Sequence, residues 1–313
     1  MTHEHDCHCG HDHSHHDHNP LSKYEQAFSK YNMHLHDEQV ATEVHNLLER
    51  CAAQYNTPEV WKYLLSTVEL TTLTCVDSDE RVLAMVEAYN RYADQHPDLP
   101  PFATICVYPN FARLVAQSLE VEGTEVAVVT GGFPSSQTFI EIKTVETALA
   151  VRDGATECDM VLSVGKFLSE DYETCADEIS EIKESCGDVP LKVILETGAL
   201  QTAENIKRAS VLSMYSGADF IKTSTGKIEP AATLEAAYVM CQAIKEYYAE
   251  TGRRVGFKAA GGVSTVEDAV KYYTIVRELL GNEWLNARLF RIGTSSLAPR
   301  LVKAVTGEDV KFK

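Results

Sequence analysis

The chain has 313 residues, 44% of them apolar and 24% charged, the balance of an ordinary globular protein, which excludes wholesale disorder. Its formal net charge of −18 repels phosphate backbones and anionic lipid surfaces, so no nucleic-acid partner and no membrane partner is expected. The nine cysteines follow no disulfide spacing, and neither a membrane-length apolar run nor a secretory signal pattern is found, so a reducing, cytoplasmic setting is expected.

Residues 1–20 stand apart. Eight of the twelve histidines fall between His3 and His18, with Cys7, Cys9 and three aspartates among them and nothing apolar to start a core. This segment is expected to be a disordered tail. Residues 21–66 form a second unit with a mostly helical pattern from 24 to 55. A new helix start follows, where Thr57 is placed to cap and Pro58 to occupy the first helical position. This extension is expected either to cap the bottom of the main domain or to make a homodimer contact.

From residue 67 to 313 the texture changes. Short apolar runs at 68–73, 103–108, 125–129, 157–162, 191–196, 219–223, 255–259 and 289–292 read as strands. Each is followed by a helical pattern: 79–92, 110–119, 140–152, 171–183, 203–215, 234–248, 266–279 and 296–304. Such alternation implies parallel strands joined by right-handed crossovers. Eight units over this length predict an α/β fold of the (β/α)₈ TIM-barrel class. A doubly wound sheet is the competing reading, but no G-x-G-x-x-G loop follows an early strand.

In such a barrel the chemistry sits at the C-terminal ends of the strands. There three charges interrupt apolar strands: Asp159 in the fourth, Lys222 in the sixth and Lys258 in the seventh. If both lysines point inward, two ammonium groups crowd one desolvated pocket, which favours loss of a proton from one of them. A neutral amine attacks carbonyls and forms a Schiff base, whose iminium accepts electrons during C–C bond cleavage. Asp159 is placed to keep Lys258 charged and to relay protons. The competing reading is a structural ion-pair layer, for which Lys192 and Glu196 in the fifth strand are candidates.

Glycines and hydroxyls follow the last three strands: Gly226 and Lys227, then Gly261 and Gly262, then Gly293, Ser295 and Ser296. Glycine lets backbone amides approach an anion, and the loops after strands seven and eight are where this fold usually binds phosphate. Taken singly, each glycine is also ordinary turn chemistry.

At these positions the sequence resembles the deoxyribose-phosphate aldolases, a class I Schiff-base aldolase family. The resemblance is carried by ADFIKTSTGK at 218–227, VGFKAAGG at 255–262, LKVILETG at 191–198, TICVYP at 104–109 and RIGTSSL at 291–297. It implies reversible cleavage of 2-deoxy-D-ribose 5-phosphate to D-glyceraldehyde 3-phosphate and acetaldehyde, so the expected partners are a small phosphorylated sugar and short aldehydes. It implies Lys222 as Schiff-base former, Lys258 and Asp159 as the proton-relay pair, and no metal or organic cofactor. It implies phosphate contacts from Gly226, Lys227, Gly262, Gly293, Ser295 and Ser296. Thr223 and Gly261, in the same runs, join the substrate-binding set.

Departures from the family pattern are local. Glu69 stands where an aspartate is usual and reaches one methylene further, toward a hydroxyl-binding position. Ala259 replaces a common proline, the 129–134 loop carries Gly131-Gly132 before Phe133-Pro134, and the chain ends without a tyrosine. Cys106, at the end of the second strand, is either a substrate contact or a small packing residue.

Two further readings stay open. One keeps the Schiff base but changes the phosphorylated sugar, prompted by Glu69 and the Gly131-Gly132 loop. The other is a metal-binding protein on a barrel that has lost its catalysis, prompted by the tail. There His3, His5, Cys7, His8, Cys9, His11 and His13 offer ligands for a divalent metal without the spacing of a closed finger.

Overall fold

The structure, a computed structural model, describes residues 22–312. Eight short strands pair in parallel and in chain order, and the last closes on the first. They are β1 (Val68–Thr71), β2 (Thr104–Val107), β3 (Glu125–Thr130), β4 (Glu157–Val161), β5 (Leu191–Ile194), β6 (Phe220–Lys222), β7 (Gly256–Ala260) and β8 (Phe290–Thr294). Closure sets Val68 beside Ile292 and Glu69 beside Gly293, which leaves the sheet no free edge. This is the (β/α)₈ barrel expected, and each expected strand overlaps an observed one. β8 runs on through Gly293 to Thr294, two residues past its expected end, whereas β5 stops at Ile194.

Three helices precede the barrel: α1 (Lys23–Phe28), α2 (Asp37–Tyr55) and α3 (Pro58–Leu65). Thr57 caps α3 as its sequence implies, its hydroxyl accepting the Val60 N–H. Between and after the strands lie α4 (Asp79–Gln95), α5 (Ala112–Ser118), α6 (Ile140–Arg152), α7 (Val164–Leu168), α8 (Tyr172–Cys186), α9 (Thr197–Leu200), α10 (Ala203–Tyr215), α11 (Leu234–Thr251), α12 (Val266–Leu280) and α13 (Leu297–Thr306). Ser78, Thr202, Thr233 and Thr265 cap α4, α10, α11 and α12 with side-chain oxygens, each cap contributing about 1 kcal/mol.

The extension packs against the outer helical layer. α2 runs along α11 and α12, and α3 packs on α12 and α13. Polar contacts fix it there: the Asp37 carboxylate accepts the Ala203 N–H at 2.7 Å, and the Tyr238 hydroxyl donates to Glu43 at 2.7 Å. The histidine- and cysteine-rich segment, with its expected metal ligands His3 to His13, lies outside the described residues. No helix among the described residues is long and apolar enough to cross a membrane. The seven cysteines among them are all free.

Strand residues alternate between two faces, and the sequence sorts cleanly between them. Leu70, Ile105, Val128, Met160, Val193, Phe257 and Ile292 face the helices and join the main hydrophobic core. The opposite face fills the barrel interior. Toward its mouth a small apolar cluster of Leu73, Cys106, Ala127 and Val129 forms one wall, and charged side chains fill much of the rest. The chain's end is anchored at the other end of the barrel: Phe312 packs edge-on to Tyr89, Tyr92 and Phe102, the last lying just ahead of β2.

Candidate active site

Period-two alternation carries seven charged side chains into the barrel interior. Lys192, Lys222, Lys258 and Arg291 are cationic; Glu69, Glu157 and Asp159 are anionic, and all seven are buried. Register sets the contacts. Asp159 lies beside Lys192, and Lys222 beside Lys258. Asp159 is the hub: one oxygen accepts from Lys192 at 2.8 Å, the other from Lys222 at 2.8 Å and Lys258 at 2.7 Å. Lys258 also pairs with Glu69, and Lys192 with Glu157 at 2.6 Å and Glu69 at 3.6 Å. Arg291 grips Glu157 through two nitrogens, at 3.0 and 2.8 Å, and reaches Glu69 at 3.1 Å. The Phe220 ring lies beneath Lys192 and Arg291, in the space a side chain at Gly256 would need.

Four cations against three anions leave one positive charge without a counterpart, in a site where burial makes such an excess costly. Removing one proton balances the network, and the geometry singles out which ammonium gives it up. Lys192 touches three carboxylates, Lys258 and Arg291 two each, and Lys222 only Asp159. The electrostatics agree. Burial pushes the Lys222 ammonium below the ordinary lysine range, and Lys258 adds to this against the pull of Asp159. Lys258 moves the other way: burial would lower it, but Asp159 and Glu69 hold it charged well above that range. Burial alone would raise both carboxyls, yet the lysines around them hold Asp159 far below its usual value and Glu69 at about 2.

Above this network a cavity of about 260 Å³ opens at the C-terminal ends of β6, β7, β8 and β1. It is smaller than the roughly 300–1,000 Å³ typical of drug-sized ligands, which suits a small metabolite. Of the four cations in this network, Lys222 and Lys258 line it. Its opposite side is built from Gly226, Lys227, Gly261, Gly262, Gly293, Ser295 and Ser296. Gly261 shows why small residues are needed: its φ is +84°, and a Cβ would meet the Ala231 Cβ at 2.7 Å and the Gly226 Cα at 3.1 Å. Two backbone turns therefore touch directly at the cavity wall. α13 begins here, and the Ser296 and Leu297 N–H groups are held by the Thr294 hydroxyl at 3.1 and 2.9 Å. The Lys227 ammonium bonds the Leu73 carbonyl across the mouth.

The structure thus brings together Lys222, Lys258, Asp159 and all seven residues expected at the phosphate end. It sets three other expected substrate contacts apart from the cavity. Glu69 lies beneath Lys258, fully buried, with its oxygens taken by Lys258, Arg291 and Lys192. Its extra methylene carries the carboxylate into this ion-pair network. Thr223 faces away, its hydroxyl accepting the Ala260 N–H at 3.0 Å and donating to the Ala260 carbonyl at 3.1 Å. Cys106 is buried in the apolar wall, where burial raises its thiol pKa, the behaviour of a packing residue. Lys192 and Glu196 do not pair: Lys192 belongs to the central network, and Glu196 turns to Thr225. Glu69, Cys106 and Asp159 bring three donor atoms within 4.8 Å of one another, but the cationic side chains among them repel a divalent ion.

Sequence reasoning missed Arg291 and Glu157 and misread Lys192. Register was the signal that could have found them, since each sits an even number of positions from an inward residue of its own strand. Thr71, Leu73 and Thr74 also line the cavity without having been singled out.

Comparison with known proteins places the site in a family. Residues 68–285 match the DeoC/LacD family aldolase model. A Caenorhabditis elegans protein is 43% identical over 252 residues, 80% of this chain and 82% of its own length. The deoxyribose-phosphate aldolase of Homo sapiens is 37% identical over 264 residues, 80% of this chain and 83% of its own. Among solved structures, the tetrameric deoxyribose phosphate aldolase of Aeropyrum pernix superposes with a TM-score of 0.62 at 26% identity, covering 85% of this chain and 97% of that one.

Proposed function

This chain belongs to the DeoC/LacD family of aldolases, and from that we propose that it reversibly cleaves 2-deoxy-D-ribose 5-phosphate to D-glyceraldehyde 3-phosphate and acetaldehyde through a Schiff base on Lys222. The observation that carries the reading is the placement of Lys222. Of the four cations in the barrel interior it is the one with a single carboxylate partner, and it borders the cavity whose far side is glycine, serine and lysine. Neutral Lys222 attacks C1 of the open-chain sugar and loses water to form an iminium. The C3 hydroxyl gives up its proton to the Asp159 carboxylate through a water, the C2–C3 bond breaks toward the iminium, and glyceraldehyde 3-phosphate leaves. Protonation of the enamine at C2 and hydrolysis release acetaldehyde. Lys258, held charged by Asp159 and Glu69, is the proton donor at this end of the cavity. The phosphate lies against Gly226, Lys227, Gly262, Gly293, Ser295 and Ser296, at the N-terminus of α13.

Turnover of 2-deoxyribose 5-phosphate, compared with ribose 5-phosphate and fructose phosphates, tests the substrate. Cleavage of the first in strong preference is expected; activity confined to the others would replace this reading with that of an aldolase for a different phosphosugar. Acidity tests the pairing. A rising limb of kcat/KM with pH reports deprotonation of Lys222. Lys258→Met removes a neighbouring positive charge and leaves Asp159 to favour the charged amine. The limb should therefore move to higher pH, with lower activity at pH 7. An unmoved limb would separate Lys258 from the Lys222 proton.

The protein is further proposed to act as a homodimer in a reducing, cytoplasmic setting. α6 supports the dimer, because its polarity is inverted. It buries Lys143 and Thr147, and exposes Ile142, Val145 and Leu149 at 56, 55 and 44%, with Phe139 at 77% just ahead of it. Antiparallel packing on a second copy about a twofold axis sets Ile142 against Leu149 and Phe139 against Arg152, an apolar pair and a cation–π pair. Val145→Glu should convert the dimer to a folded monomer in sedimentation experiments. A wild-type chain that sediments as a monomer at micromolar concentration would rule the interface out.

A further inference from the structure

Glu196 is a non-glycine residue in left-handed backbone, with φ 57° and ψ 60°, two residues beyond the end of β5. Glutamate lacks the short side chain that lets asparagine and aspartate settle there, so its surroundings must hold it. The strand ladder continues on both sides of it. The Leu195 N–H bonds the Lys222 carbonyl and the Thr197 N–H the Thr223 carbonyl, both at 2.9 Å. The flipped backbone is therefore built into the barrel wall, and it aims the side chain sideways toward the loop after β6.

The carboxylate is buried and both oxygens are occupied by one residue. Oε1 accepts the Thr225 N–H at 3.1 Å, and Oε2 the Thr225 hydroxyl at 2.5 Å. The Thr225 hydroxyl oxygen accepts in turn from the Lys227 N–H at 3.1 Å. Thr225, Gly226 and Lys227 form one side of the cavity. The other end of the same loop is held as closely, because a Cβ at Gly198 would run into the Pro230 carbonyl.

We propose that Glu196 is a positioning residue for the anion end of the site. Its strained backbone and two hydrogen bonds fix the 225–227 turn so that the cavity receives a phosphate without rearrangement. The inference rests on the reading that this cavity takes a phosphosugar, and it assigns the affinity for the phosphate partly to a residue that never touches it. Preorganising a turn lowers the cost of binding in the same way as adding a contact.

Glu196→Gln keeps the shape but accepts only one of the two bonds. Calorimetric titration with inorganic phosphate should show affinity about tenfold weaker than wild type, the value of one charge-assisted hydrogen bond. KM for 2-deoxyribose 5-phosphate should rise by a similar factor, with kcat little altered and a far smaller change in kcat/KM for unphosphorylated 2-deoxyribose. Thr225→Val should reproduce the phenotype, and adding Glu196→Gln to it should cost nothing more, since both remove the same link. Unchanged phosphate affinity in Glu196→Gln, or equal losses on the two sugars, would overturn the proposal. The phosphate titration needs no turnover, so what it shows of Glu196 is independent of whether deoxyribose phosphate proves to be the substrate.

Discussion

Replacing Lys222 with alanine lowers turnover by about 10⁴-fold or more and leaves the barrel folded, with an unfolding midpoint equal to or above that of the wild type. The first effect follows from the loss of the amine that forms the covalent intermediate. The second follows from the charge count. With Lys222 gone, three buried cations face three buried anions, and no carboxylate loses its last partner. Function at this position therefore opposes stability, as expected where burial holds an amine away from the protonation state it has in water. Turnover assays and urea unfolding at pH 7 check the two effects separately. A strongly destabilised Lys222→Ala protein would show that Lys222 is a structural member of the network.

Asp159→Asn should behave in the opposite way. Asp159 is the one carboxylate that touches three lysines, and all of its contacts are buried. Removing its charge leaves one anion fewer among four cations, and breaking a buried ion network on one side costs about 3–5 kcal/mol. Activity should fall with stability, because the shared carboxylate that holds Lys258 beside Lys222 is lost. The acid side carries a second signature. Asp159 and Glu69 are both held below the usual carboxylate range, so their contribution to stability is complete above about pH 4 and is lost as pH falls toward 2. Asp159→Asn removes part of that contribution, so its stability should fall less steeply over this window than that of the wild type. Matched acid profiles would contradict the central place given to Asp159.

How much of this was legible follows from what kind of signal each feature sends. The barrel was legible because short, mostly apolar runs such as 191–195 and 255–259 recur between amphipathic stretches, a period carried by residue type alone. Lys222, Lys258 and Asp159 were legible because a charge inside an apolar strand has few explanations. Glu69, Thr223 and Cys106 were harder, since a strand end does not declare which of two faces a side chain takes or how deep it lies. One step along β6 separates Lys222, at the cavity, from Thr223, bonded to β7. Lys192 and Glu196 looked like a pair by spacing, but the left-handed turn at Glu196 swings its carboxylate to the next loop. A backbone flip at a non-glycine residue leaves no trace in composition. The inverted polarity of α6 was present in the sequence as apolar residues on both faces, and only the position of Lys143 in the structure shows which face is inside.

Borohydride reduction in the presence of 2-deoxyribose 5-phosphate, followed by peptide mass mapping, tests the central claim most directly. The account predicts a single stable adduct, on the peptide that carries Lys222, absent when substrate is omitted. An adduct on Lys258 or Lys192 instead, or none from a folded protein that still cleaves the sugar, would contradict it.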